Sequence, residues 1–260
     1  MKKGVFDWKN IMKKINVKKA DEPAQGKGLV CDYVVCLPGN APSSWKQAMG
    51  VMQMINELSV MGKRIIPVNA QSCNIYVVRN GVLRPTLPMG NRVNQKPWEG
   101  LIADYDRMIW IDSDNIIKTQ DVLQLLSHDV DIAAAWYRQY GGGVIDDTNK
   151  AACGFWKRGT GYNEVRPLTI ADIPKEPTNE KGLIEVDYAG MGLMIVKKGV
   201  FEKMPYPWFR SGIIEWEENG IQCADIDTDD SRFCFAAKEL GYKIHVDPKC
   251  RILHQKMVDL

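Results

Sequence analysis

The sequence predicts an α/β protein built on one mostly parallel central sheet flanked by helices, and three observations carry that expectation. Apolar runs of strand length alternate with stretches of helical periodicity. One of these runs, RMIWI, passes straight into DSDN, as a strand does when its carboxyl end opens on a ligand site. Beyond an unusual basic segment at the start, no composition break or second core divides the chain, so one domain is expected over residues 28–260.

Residues 1–27 stand apart. Lys2, Lys3, Lys9, Lys13, Lys14, Lys18 and Lys19 accompany Val5, Trp8, Ile11, Met12 and Ile15, whose spacing marks a helix stripe, and DEPAQGKG ends it. Such a basic helical arm either docks its stripe on the body or offers cations to phosphates or a membrane surface. LVCDYVVCL (29–37) predicts a buried strand. After PGNAP, Ser44 and Gln47 have capping-box spacing, Trp45, Met49, Met52 and Ile55 form the expected apolar face, and Gly62 ends the helix.

RIIPV (64–68) and RMIWI (107–111) predict strands, TQDVLQLL (119–126) a helix and DIAAAWY (131–137) another strand. Residues 138–183, with GGG, KRGTG and IPKEP, show little apolar periodicity and predict a long surface excursion, a feature commonly used for recognition or as a lid. Regular structure resumes at LMIVKKGVF (193–201). Thr228 is the expected N-cap of a helix with Phe233, Ala236, Ala237 and Leu240 on one face and Gly241 at its end, and YKIHV (242–246) is the last strand.

Composition narrows the classes. Hydrophobic residues make up 45% and charged residues 25% of the 260, which excludes collagenous and wholly disordered chains. Lys plus Arg number 34 against 32 Asp plus Glu, a net +2 too mild to name a polyanionic partner. Seven cysteines without a CxxC pair suit reduced thiols, and no apolar run reaches the roughly 18 residues of a membrane span, so a cytoplasmic protein is expected.

Four groups of residues carry the candidate chemistry. Asp112, Ser113 and Asp114 follow the apolar strand; alternation sends both carboxylates to one side, where they reach a single hard cation such as Mg²⁺ or Mn²⁺. Gly190 and Gly192 precede another strand and permit close approach of backbone to a ligand. Asp229 and Asp230 occupy the first turn of a helix, where the helix dipole favours carboxylates. His254 follows RIL near the end; Cys250 gives it a CxxxH spacing, but nothing nearby completes a zinc site. The sequence has no GxSxG elbow, no GxxxxGK[ST] loop and no GxGxxG after the first strand, so hydrolase-triad, P-loop and dinucleotide readings fall away.

In order and spacing, VVCLPGN, SCNIYVVRN, WIDSDN, the AGMG before LMIVKKGVFE, TDDSRFC with GYKIHVDP, and His254 resemble the motifs of a nucleotide-sugar glycosyltransferase of the GT-A fold. The resemblance covers residues 29–254 and extends to the small soluble glycosyltransferases of bacterial viruses. It implies that Leu37, Pro38 and Gly39 border a nucleotide base, that Arg79 and Ser113 lie by the nucleotide, and that Asp112 touches ribose or metal. It implies that Asp114 and His254 bind Mn²⁺ or Mg²⁺, and that Gly190, Gly192 and Trp208 line the donor-sugar and acceptor side. Asp229 and Asp230 stand where the family often has Glu-Asp, the pair that holds the sugar or acts as base; the shorter first carboxylate leaves its role open.

The implied partner is a nucleotide-sugar donor, UDP-linked by preference. The acceptor implied by the viral relatives is a hydroxymethylated pyrimidine in DNA, with a glycan, a protein or a small molecule as alternatives. Tyr137, Arg138, Tyr140, Phe155, Trp156, Lys157, Arg158 and Tyr162 in the excursion provide stacking and phosphate contacts for the first of these. A sugar-phosphate nucleotidyltransferase is the alternative enzyme, and inverting or retaining stereochemistry stays open.

Overall fold

A computed structural model describes residues 28–39, 44–83, 94–99, 101–139, 149–156 and 165–255; the basic arm at 1–27 lies outside them, as do Tyr140, Lys157, Arg158 and Tyr162. In chain order the elements are β1 (Leu29–Val30), β2 (Tyr33–Gly39), α1 (Trp45–Val60), β3 (Ile65–Gln71), α2 (Ile75–Leu83), β4 (Ile102–Asp104), β5 (Arg107–Ile111), β6 (Asn115–Ile116), α3 (Thr119–Leu126) and β7 (Ile132–Trp136). There follow β8 (Lys150–Phe155), β9 (Arg166–Thr169), β10 (Ile184–Val186), β11 (Tyr188–Ala189), β12 (Leu193–Lys197) and α4 (Val200–Lys203). The chain continues with β13 (Ile213–Glu218), β14 (Ile221–Ile226), α5 (Asp229–Glu239), β15 (Ile244–Arg251) and β16 (Leu253–His254).

The main sheet has seven strands in the order β10-β15-β7-β12-β5-β2-β3. Its central strands are apolar except for Arg107 and Lys197 at the ends of β5 and β12, because both faces are covered. Period-two alternation sends Val34, Cys36, Met108 and Trp110 into one core and Val35, Ile109 and Ile111 into the other. Val51, Met54 and Leu58 of α1, with Val122 and Leu125 of α3, close the second core; Phe201 and Phe233 help close the first. Each such buried side chain contributes about 1.5–3 kcal/mol.

The sheet is mixed rather than mostly parallel. β2 is parallel to β3 and β5, and β7 to β15, but β12 is antiparallel to both β5 and β7, and β10 to β15. A parallel connection needs a crossover, usually a helix. Between β7 and β12 the chain instead builds a small sheet, β11-β8-β9, so the stretch expected as a loop excursion contains strands. Their small residues, such as Ala151, Cys153 and Gly154, leave little apolar periodicity to read. The expected strand 29–37 is split by a bend at Asp32, and a helix not expected from the sequence, α2, carries Arg79.

The face of α1 also differs from expectation. Ser44 caps it by accepting from the Gln47 N–H at 3.2 Å, but the buried stripe is Gln47, Val51, Met54 and Leu58, while Trp45, Met49 and Met52 are exposed. Two apolar stripes compete at helical spacing in this segment, and the buried one starts with a polar residue. On α5, Phe233 and Ala237 are buried as expected, whereas Leu240 is exposed, and Gly241 ends the helix with φ of 88°.

Candidate functional site

The site gathers at the carboxyl ends of β2 and β5. β5 stops at Ile111, and Asp112 to Asn115 form a turn in which the Asn115 N–H donates to the Asp112 carbonyl at 3.2 Å. Strand alternation therefore does not run through Asp114, and the two carboxylates part. The chain end returns as β16 beside β6, setting His254 opposite Asn115, and the Gln255 N–H donates to the Asp114 carbonyl at 2.7 Å. His254 Nε2 thereby comes to 3.1 Å from Asp114 Oδ2.

Chemistry fixes the imidazole in this pair. His254 Nδ1 lies 3.1 Å from the Arg138 carbonyl, which can only accept, so Nδ1 carries the proton. The Nε2 lone pair of a neutral ring then points at a carboxylate, an arrangement completed by a second proton or by a cation shared between them. A metal-binding histidine ordinarily donates its other ring N–H to a backbone carbonyl or carboxylate, which fixes the ring's orientation. Asp114 and His254 thus fit as two ligands of a hard divalent ion. Among the described residues no group of three His, Cys, Asp or Glu gathers as a metal-holding set.

Asp112 is directed elsewhere. Arg79 NH2 donates to its two oxygens at 2.9 and 3.1 Å, while NH1 donates to Asp229 Oδ2 at 2.5 Å, so one guanidinium ties the end of β5 to the start of α5. Burial works against the charge on Arg79, but Asp112 and Asp229 outweigh it and hold its pKa above the ordinary value. Burial pushes Asp112 and Asp229 up, with Arg79 opposing it in both. Asp230, next on the helix, accepts from the Thr228 hydroxyl and the Ser231 N–H.

Tyr137, which sequence reasoning placed with the aromatic residues of the excursion, lies at the centre. It is 7% exposed, and its ring is 4.9 Å from that of His254. Burial first, then Asp112 and Asp230, push its hydroxyl pKa well up, so it stays a hydrogen-bond donor. Gly190 and Gly192 do allow a close approach, but Tyr137 makes it: a Cβ on Gly192 would stand 2.5 Å from Tyr137 Cε1 and 2.8 Å from the Asn115 amide. The Asn115 amide is buried and neither of its polar atoms has a hydrogen-bond partner. The clue in the sequence was the position of Tyr137 directly after a fully apolar strand.

Two cavities flank this centre. The first, about 130 Å³, is lined by Leu37, Pro38, Gly39 and Ser113 together with Gln47, Asn69 and Gln71. The second, about 360 Å³, lies between the β8–β9–β11 sheet and the start of α5, which carries Thr228 and Ser231 into it. A larger one, about 420 Å³, opens at the other end of the sheet around Tyr33, Asp104, Asp106, Arg107 and Lys197. Trp208 lines none of these three. It is 1% exposed and donates through Nε1 to the Phe201 carbonyl at 3.0 Å; the expected donor-side tryptophan is a core residue. Its neighbour Phe209 packs beneath Arg79 at 5.8 Å and is held by the Asn80 side chain.

No family model and no curated protein matches this sequence. Among solved structures the chain is similar to the crystal structure of A197 from STIV, at 13% identity and a TM-score of 0.43, over 88% of this chain and 96% of that one. Among the described residues, no helix is long and apolar enough to cross a membrane.

Proposed function

We propose that this chain is a glycosyltransferase that takes a sugar from a nucleotide-diphosphate donor, with a UDP-sugar as the favoured donor. One observation supports the reading above the others. Ser113 on the wall of the amide-lined cavity is the immediate neighbour of Asp114, whose partner His254 packs on Tyr137, the ring that feels Asp112 and Asp230. A base pocket, a cation pair and a carboxylate beside a second cavity follow in the order that a donor's base, diphosphate and sugar require.

On this reading Leu37, Pro38 and Gly39 pack on the base while Gln47, Asn69 and Gln71 offer amides to its edge, the mixed chemistry of a small-ligand pocket. Asp114 and His254 would hold Mn²⁺ or Mg²⁺, and the ion would supply Lewis-acid neutralisation of the leaving diphosphate. Asp112 is kept in place by Arg79 rather than acting on the ion directly. Asp229 has an oxygen committed to Arg79, so Asp230 is the carboxylate that accepts the acceptor proton if the reaction inverts, or that positions the sugar if it retains.

The test is thermal unfolding of the full chain with UDP, other nucleoside diphosphates and their sugars, with and without Mn²⁺. A donor at a hundredfold excess over its Kd stabilises by about 2.7 kcal/mol. Mn²⁺-dependent donor hydrolysis is expected, and Asp114→Ala or His254→Ala should abolish it. Unchanged Mn²⁺ dependence in both variants would refute the metal assignment, and a midpoint that no nucleotide moves would refute the donor.

A further inference from the structure

Helix α1 is apolar on two opposite sides. Successive residues are turned by about 100°, so Gln47, Val51, Met54 and Leu58 form the stripe that the core covers, while Trp45, Met49, Met52 and Val60 fall on the far side with Asn56 among them. Trp45 is 72% exposed, Met52 64% and Val60 80%, and Met61 continues the patch past the helix end. Three of these residues are the ones whose spacing predicts the buried face, and the fold leaves them open. A helix that is hydrophobic all round is ordinarily covered all round, so the outer stripe calls for an occupant.

The charges of the helix select that occupant. Lys46 and Glu57 are the two charged residues of α1; they lie on the same flank of the exposed stripe, roughly 16 Å apart along the axis, too far to pair with each other. Glu57 accepts from Gln53 Nε2 at 2.7 Å and Lys46 lies 5.8 Å from the Trp45 ring centroid, and among the described residues neither has an ion-pair partner in its own chain. A second α1 laid antiparallel on the first, about a two-fold axis near Met52, brings Lys46 of each copy beside Glu57 of the other. Both ion pairs then form together, as a self-complementary two-fold contact requires. Met52 meets Met52 at the axis, Met49 packs beside Asn56 and Trp45 reaches Val60, so no charge enters the seam.

Other occupants fit less well. Helices that lie on anionic lipid carry many lysines or arginines beside the apolar stripe, whereas α1 carries one lysine balanced by one glutamate. The seven lysines of residues 1–27 would find a single carboxylate on this helix. We propose that the outer face of α1 is a self-association surface on which two copies of this chain pair antiparallel through Trp45, Met49, Met52 and Val60, with Lys46 and Glu57 fixing the register. A pair of helices about 24 Å long covers less than the roughly 800 Å² per partner of a standard interface, so the association is weak and concentration-dependent. It is independent of the transferase reading.

The experiment is sedimentation velocity of the full chain over a concentration series, with reductant present so that the exposed Cys73 cannot link copies. A monomer–dimer equilibrium with a Kd of about micromolar or weaker is expected. Met52→Glu sets two like charges across the axis and should abolish the dimer with an unchanged thermal midpoint. Lys46→Glu and Glu57→Lys should each weaken it about tenfold, because two symmetric pairs turn from attraction to repulsion, and the double swap should return it to the parental value. The swap breaks no ion pair within a chain, so recovery reports contact between copies. A chain that is monomeric throughout, a dimer that survives Met52→Glu, or a double swap no better than the single changes would each overturn the proposal. So would results that name another occupant: flotation with phosphatidylglycerol vesicles that Met52→Glu abolishes while the chain stays monomeric, or dimerisation that appears only once residues 1–27 are removed.

Discussion

The two cavities beside the acidic centre are built in opposite ways. The first cavity is walled by the ends of β2 and β3 and by α1, and its lining is apolar and amide apart from the Ser113 hydroxyl. The second cavity is walled by short strands and a helix start, with a hairpin packed behind Trp156, and among the described residues its charged lining is Lys150 and Asp227. The difference separates a fixed frame from an adjustable rim. Strands locked into a seven-stranded sheet change little without loss of the core, whereas a hairpin attached chiefly through Ile214 and Trp216 can alter its charge at small cost.

Arg79 ties the two halves of the site directly, since it holds Asp112 from the frame and Asp229 from the rim. Removing it is expected to have the largest effect. Arg79→Ala leaves the buried Asp229 and the partly buried Asp112 without their shared cation, a loss of up to about 3–5 kcal/mol for a broken buried pair. Urea unfolding measures it. Adding Asp112→Asn and Asp229→Asn to that variant should recover part of the loss, because the uncompensated charge goes with them. A variant as stable as the parent would mean that the halves hold together without this link.

Legibility from sequence follows the same division. β5, α3, β7 and the end of α5 were readable because apolar runs and Gly241 carry their own physics; Thr228 does stand at the N-cap position, but its hydroxyl bonds the Asp230 carboxylate and not a backbone N–H. Asp114 with His254 was readable as a pairing of mid-chain with chain end, and the structure brings them to 3.1 Å. What was not readable depends on tertiary context. The direction of β12 depends on a connection that turns back instead of crossing over, and which stripe of α1 is buried depends on the sheet it meets. The hairpin did carry a signal, Asn219-Gly220, whose φ values of 54° and 78° suit a two-residue turn; β-strands on either side make that dipeptide a strong marker. Trp208 misled because an aromatic residue near a site is as often packing as recognition.

Gly192 sharpens the comparison at the border of the two halves. A methyl there meets the Tyr137 ring at 2.5 Å and the Asn115 amide at 2.8 Å, and neither buried group has room to retreat. Gly192→Ala is expected to cost about 1–3 kcal/mol, the usual range for overpacking. Combining it with Tyr137→Ala should cost clearly less than the sum of the two single changes, because the clash disappears with the ring. Strict additivity in that cycle would show that Tyr137 does not sit on the glycine.

The smallest effect is expected far from both cavities, at Asp247 on β15. Its carboxylate accepts from Gln124 Nε2 at 2.9 Å and from the Lys249 N–H at 2.8 Å, and it pairs with His128 Nε2 at 2.8 Å, fastening α3 and the turn after it to the sheet. Burial raises the Asp247 pKa, but these partners together outweigh it and leave it below its ordinary value of 3.8. A carboxylate whose folded pKa is depressed stabilises the fold above its unfolded pKa and loses that contribution as pH falls through the folded value. Asp247→Asn should therefore cost about 1 kcal/mol at pH 7, in the range of a hydrogen bond to a charged group less the amide that replaces it. The gap between variant and parent should narrow as pH drops below 3.8. Urea unfolding across that window reads the gap, and the nucleotide response should stay at its parental value throughout. A gap of constant size would assign the contribution of Asp247 to shape rather than charge, and a shift in the nucleotide response would join this edge of the sheet to a cavity it does not touch.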